Sequence, residues 1–279
     1  MRVGIIGAGN IGAALYERAQ RQGWEVSFVL KSSGVYRPRT KRVDDLEHYP
    51  RYAEGTDLVF VAIPSSEDGK SAYEYLKFFL KRGTPVVTCE KGAVANFWPE
   101  LEAWRGKLGY VATVGGGTRL LGFLTTYLNE KTTQVVYAVI NGTLNYVMDE
   151  LTVAHSLTEA ISQAQVLGYA EPGATDAFDL FQKEIQDVRL KSVIVFNHAN
   201  LVSKKIRFND LKTEPLTTEQ FEQVVREAAR WRCVLSIMHR HDHGALPETI
   251  GGFSYESGGW LLRGGFHRLD GVPRLRELV

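Results

Sequence analysis

Short apolar runs separated by longer amphipathic ones dominate the N-terminal half. "RVGIIG" reads as a buried strand, and "NIGAALYERAQRQG" as a helix that stops at Gly23. "EVSFVL" predicts a second strand and "TDLVFVAI" a later one. "SAYEYLKFFLKRG" predicts a helix ending at Gly83, and "TPVVTC" a further strand. Apolar strands alternating with helices of ten or more residues predict a parallel, doubly wound sheet with both faces covered. From about residue 135 the pattern changes. "TQVVYAVI" is strand-like, and "LNYVMDELT" and "LTEAISQAQVLG" have helical spacing. A long polar loop is expected next, then the apolar helix "QDVRLKSVIVFNHANLV". Another helix in "TTEQFEQVVREAARWRCVLSIM" leads into a strand.

The glycines change the picture at once. Gly7, Gly9 and Gly12 stand in G-x-G-x-x-G order directly after the first strand and at the start of the first helix. The first permits a tight turn, the second lets backbone approach a pyrophosphate, and the third lets helix and strand pack closely. The free N–H groups of the helix start then face the phosphates. In this context a dinucleotide site is expected that includes Asn10 and Ile11, with Ile63 and Pro64 after the later strand and Lys91 after the next. An acid at the end of the second strand would select NAD by holding the ribose hydroxyls. Lys31, Ser32 and Ser33 stand there instead, with Arg37 and Arg39 nearby. NADP is therefore the expected cofactor and NAD the alternative.

Composition narrows the rest. Hydrophobic residues make up 44% of the 279, charged residues 23%, and the formal net charge is +1. That is ordinary for a soluble globular chain and supplies no field to recruit nucleic acid or an anionic membrane. Two cysteines suit a reducing compartment. No apolar stretch approaches the ~20 residues that span a bilayer, and the glycines after Met1 argue against a signal peptide. A cytoplasmic protein is expected.

Three further segments carry a resemblance. "VVTCEKGAVA", "ATVGGGTRLL" and "VINGTLNYVMDEL…EAISQAQVLGYAEP" resemble the corresponding motifs of homoserine dehydrogenases, over residues 1 to about 200. The resemblance implies an α/β architecture. A Rossmann-type dinucleotide domain would cover 1–135, an α/β substrate and dimerisation domain 136–255, and 256–279 would return to the first domain. It implies an NADP-dependent oxidoreductase of amino-acid biosynthesis, interconverting homoserine and aspartate 4-semialdehyde, and assembled as a homodimer. The alternatives are a related dehydrogenase for another small amino acid or semialdehyde, and an inactive dinucleotide-binding sensor.

The family pattern also requires an Asp four residues before a Lys at the start of an apolar helix. Asp179/Lys183 and Asp187/Lys191 both have that spacing, which also describes a plain surface ion pair. Only Lys191 runs into apolar "SVIVFN", so Asp187/Lys191 is the preferred pair, after a loop about five residues longer than usual. By resemblance, Lys191 delivers the proton, Lys91 is a second cation at the active site, and Asp187 orients the lysine or the substrate hydroxyl. Glu171 would hold the substrate ammonium, and Asn141, Gly142 and Thr143 would shape the wall between cofactor and substrate.

Four departures accompany these matches. Val111 replaces the acid of the family's monovalent-cation site, so no metal is expected. Thr118 and Arg119 replace Ile-Pro and put a charge near the cofactor. Glu90 replaces an Asn and could pair with Lys91, and the short C-terminal segment leads to the expectation of no appended regulatory domain. His239, His241 and His243 alternate, yet no further ligand completes a metal set, so they are read as a polar turn.

Overall fold

The computed structural model describes all residues except 38–40, 130, 154, 171–175, 240–246 and 270–279. The chain divides into two compact units, residues 1–122 and 123–279. The boundary thus falls before the expected residue 135.

In the first unit, β1 (Arg2–Ile6), α1 (Asn10–Arg21) and β2 (Glu25–Lys31) form the opening βαβ. A hairpin of β3 (Gly34–Tyr36) and β4 (Arg42–Asp44) follows, then β5 (Leu58–Val61), α2 (Lys70–Lys81), β6 (Val86–Thr88), α3 (Lys91–Leu101) and β7 (Leu108–Gly109). The sheet runs β4-β3-β2-β1-β5-β6-β7 among the described residues, with β2, β1, β5, β6 and β7 parallel. Val3, Ile5, Phe28, Val59 and Val86 are fully buried in it, as expected of strands covered on both faces. The edge differs from a purely parallel sheet. β3 pairs antiparallel to β2 through the tight Ser32–Ser33 turn, and β4 pairs antiparallel to β3. Gly34, at φ +133°, follows that turn, and a Cβ there would meet the Asp44 carbonyl at 2.4 Å.

α4 (Leu120–Tyr127) spans the division between the units. The second unit continues with β8 (Val135–Ala138), α5 (Gly142–Thr152), α6 (Leu157–Val166), α7 (Ala177–Ala199), β9 (Lys212–Thr213), α8 (Thr218–Arg226), β10 (Trp231–His239), β11 (Thr249–Ser257) and β12 (Trp260–Arg268). Its sheet, β8-β10-β12-β11-β9, is antiparallel throughout. Residues 256–269 therefore do not return to the first unit as expected. They finish β11, turn at Gly258–Gly259 and bury Trp260, Leu262 and Phe266 in the second core. The remainder of that segment lies outside the described residues.

α7 also corrects an expectation. It starts at Ala177, about ten residues earlier than the apolar pattern indicates. The Asp176 side chain accepts from Asp179 N and caps its first turn. Phe181 then packs edge-on to Phe221 at 5.0 Å and stacks on Phe266 at 5.7 Å. The extra length after the G-Y-A-E motif is mostly helix, because these apolar residues have a core to enter.

Candidate functional site

The first unit holds the glycine turn. Gly7 has φ +100°, and a Cβ on it would lie 2.2 Å from the Ala62 carbonyl oxygen. A Cβ on Gly12 would lie 2.0 Å from the Gly7 carbonyl oxygen. Both glycines are required by the protein's own packing. Gly9 is not, since a Cβ there meets nothing within 4 Å. Gly9 is the N-cap of α1 and offers no side-chain acceptor, and the first turn carries no acid. Asn10 and Ile11 are exposed beside it. The helix start thus presents its N–H groups and positive dipole end to open space, a fit for a pyrophosphate.

Lys31 is exposed at the end of β2, with its ammonium 4.4 Å from the Tyr36 ring centroid. Ser32 and Ser33 form the exposed turn, and the Ser33 hydroxyl lies 2.9 Å from the Tyr36 hydroxyl. Tyr36 thus carries the lysine and braces the turn. Ile63 and Pro64 follow β5, with Pro64 exposed. Lys91 is the first residue of α3, and its backbone N–H donates to Ser65 Oγ at 3.1 Å.

Glu90 lies within the field of the Lys91 charge and takes a further, structural role. Its Oε1 accepts from Ser66 N and Gly92 N, and its Oε2 from Ala93 N. It is the N-cap of α3 and ties the loop after β5 to that helix. Burial pushes its carboxyl above the usual range, and the three N–H donors offset part of that. Val111 is exposed, and Arg119 sits in the left-handed region at φ 56°.

The second unit separates the two Asp/Lys pairs. Asp179 and Lys183 are exposed on the outer face of α7. Asp187 and Lys191 turn inward: Asp187 Oδ2 lies 2.6 Å from Lys191 Nζ, with side chains 23% and 17% exposed. Lys191 Nζ also donates to the Ile140 carbonyl at 3.0 Å. That carbonyl precedes the N-G-T motif. Asn141 caps α5, its Oδ1 accepting from Leu144 N at 2.7 Å, and its Nδ2 donates to Glu184 Oε2 at 2.6 Å. Gly142 begins α5, where a Cβ would meet the Tyr169 ring at 3.5 Å, and the Thr143 hydroxyl donates to the Tyr169 carbonyl at 2.5 Å.

Two residues of this cluster escape the reading of motifs. Glu184, Asp187 and Lys191 have i, i+3, i+7 spacing and share one face of α7, a signal masked when the segment is read as loop. Burial drives the Glu184 carboxyl above its ordinary range; the Asn141 amide opposes this, Asp187 adds to it and Lys191 opposes it. Asn145, one turn after Asn141, exchanges hydrogen bonds with both backbone groups of Cys233 and ties α5 to β10. Burial pushes the Cys233 thiol up to about 12.

Glu171, His241 and His243 lie outside the described residues, whereas His239 ends β10 edge-on to Trp260. Among the described residues no group of three or more His, Cys, Asp or Glu could hold a metal, and no helix is long and apolar enough to cross a membrane.

Residues 120–250 match the homoserine dehydrogenase family model, and residues 2–77 that of coenzyme F420-dependent NADP oxidoreductases. An NAD(+)-dependent homoserine dehydrogenase of Pseudomonas canavaninivorans is 31% identical over 204 residues, covering 70% of this chain and 56% of the relative. A homoserine dehydrogenase of Mycobacterium tuberculosis is 28% identical over 191 residues, 62% of this chain and 42% of the relative. The chain thus spans about half the length of these two relatives. Among solved structures, a homoserine dehydrogenase of Thermoplasma acidophilum covers 99% of both chains at TM-score 0.63 and 19% identity. A hyperthermophilic archaeal homoserine dehydrogenase in complex with NADPH covers 95% of this chain and 92% of its own at TM-score 0.57 and 18% identity.

Proposed function

We propose that this chain, a divergent member of the homoserine dehydrogenase family, interconverts homoserine and aspartate 4-semialdehyde with NADP. The carrying observation is the inward Asp187–Lys191 pair, 2.6 Å apart, with Lys191 seated on the carbonyl that opens the N-G-T helix. The dinucleotide, when bound, supplies or accepts the hydride. Reduction of an aldehyde also needs a proton at the developing alkoxide. Lys191 Nζ polarises the carbonyl and delivers that proton, while Asp187 holds the ammonium in place. Lys91 adds a second cation, Glu171 takes the substrate ammonium, and Asn141, Gly142 and Thr143 line the substrate side.

The open Gly9 cradle and the α1 start receive the pyrophosphate, together with Asn10, Ile11, Ile63 and Pro64. Lys31, Ser32 and Ser33 receive a 2′-phosphate, for which a cation and hydroxyls are the matching donors. The named relatives include both an NAD(+)-dependent enzyme and an NADPH complex, so the preference rests on these three residues. The working species in this reading is a cytoplasmic homodimer, which would protect the half-exposed edge strand β8.

One preparation tests the reading. Homoserine oxidation is followed with NADP and with NAD, beside binding titrations of both and light scattering. Lys191→Ala should lower kcat by about 100-fold or more, the scale of general acid–base catalysis. Lys183→Ala should leave activity and stability near wild type, within ~0.5 kcal/mol. Lys31→Ala should weaken NADPH binding more than NADH binding, and scattering should give twice the chain mass. Full activity of Lys191→Ala sinks the chemistry; tight binding without turnover of any hydroxy amino acid would instead assign a sensor.

A further inference from the structure

We propose that Glu184 is a positioning residue of this site: through the Asn141 amide it fixes the β8–α5 junction, and thereby the carbonyl on which Lys191 rests. The inference builds on the reading of Lys191 given above and concerns how that lysine is aimed.

Two consecutive residues of the junction are held by α7. Ile140 offers its carbonyl to Lys191 Nζ at 3.0 Å, and Asn141 offers its side-chain amide to Glu184 at 2.6 Å. The amide cannot be turned over. Its Oδ1 faces the Leu144 N–H and its Nδ2 faces a carboxylate. The reverse orientation would set donor against donor and acceptor against acceptor.

Glu184 must therefore accept, and an ionised acceptor makes the stronger bond. Seven residues along a helix rise about 10 Å, so Glu184 and Lys191 grip the junction two turns apart on one face. Asp187 lies between them and holds Lys191 from the helix side. Loss of the Glu184 grip leaves Asn141 capping α5 but frees the junction to shift, and the Ile140 carbonyl moves with it. Burial already disfavours the Glu184 charge, so a carboxylate kept here must be offset by what it holds.

The test reads the lysine directly as well as turnover. Reductive methylation of the intact protein is followed site by site by mass spectrometry, with exposed Lys183 on the same helix as internal reference. Lys191 should label slowly in the wild type. In Glu184→Ala it should label about tenfold faster while Lys183 is unchanged, and kcat should fall about 10- to 100-fold without change in dinucleotide affinity, the scale of a lost charged hydrogen bond. Glu184→Gln keeps an acceptor oxygen and should return both readouts to within about threefold of wild type.

Should Glu184→Ala fail to fold, Glu184→Met fills the space without an acceptor and carries the same forecast. Unchanged Lys191 labelling in a folded Glu184→Ala or Glu184→Met, or a Glu184→Gln variant as impaired as these, overturns the proposal. Faster labelling alongside a fully active Lys191→Ala would leave the positioning intact and remove the reading of the reaction, so the two failures are distinct.

Discussion

Gly9 and Gly12 stand three residues apart in one motif and answer to different demands. A methyl group on Gly12 would strike the Gly7 carbonyl, whereas one on Gly9 would occupy open space. Gly12→Ala should therefore destabilise the first unit by several kcal/mol, since backbone cannot yield as a side chain can. Gly9→Ala should fold with a thermal midpoint near wild type and lose dinucleotide affinity by tenfold or more, because the added methyl fills the cradle. Thermal unfolding beside a binding titration separates the two. The motif was legible in the sequence; the division of labour within it was not, because it depends on which backbone passes behind each glycine. The same holds for Asp187 and Lys191, which apolar "SVIVFN" singled out. Glu184 stayed hidden in "FQKEIQD", where its neighbours Lys183 and Gln186 are exposed and only helical phase turns it inward.

Elements were legible where they were apolar. The parallel strands β1, β2, β5 and β6 and the helices α1, α2, α5 and α6 followed from hydrophobic spacing; the two-residue β7 did not. The β3–β4 hairpin did not, since "GVYRPRTKRVDD" has no apolar run and is held by pairing to β2 and by polar contacts. Asp44, for example, accepts from the Tyr52 hydroxyl at 3.1 Å and lies 2.6 Å from His48 Nδ1. α3 rests on a single side chain at its start. Glu90→Ala would leave the N–H groups of Ser66, Gly92 and Ala93 without their acceptor. At about 0.5–2 kcal/mol for a lost cap, with a further ~1–3 kcal/mol for a buried N–H left unmade, the variant should be destabilised by roughly 1.5–5 kcal/mol in chemical denaturation. A pH series adds a sign. Burial raises the Glu90 carboxyl above the usual carboxylate range, so the folded state holds its proton longer than the unfolded chain. This group's contribution to stability therefore declines as pH rises from the ordinary carboxylate range through the raised value. The deficit of Glu90→Ala relative to wild type should shrink across that window.

At the scale of the molecule, two sheets of different construction share one chain. The parallel sheet grows by βαβ steps, each closing a loop of tens of residues. The antiparallel sheet contains a hairpin joined by Gly258 and Gly259, whose φ values of +58° and +80° suit a tight primed turn. That turn has a consequence in time. Strands joined by two residues meet within microseconds, whereas Lys191 must find a carbonyl 51 residues earlier in the chain, and the entropy of closing a loop rises with its length. β11 and β12 should zip first and serve as the template against which β10, and then β8 with its junction, are laid. Activity should consequently appear late in refolding. Gly259→Val, which strains the turn, should slow the return of activity after dilution from denaturant several-fold while leaving the finished protein's kcat unchanged. Equal refolding rates would show that the site can be built without waiting for its hairpin.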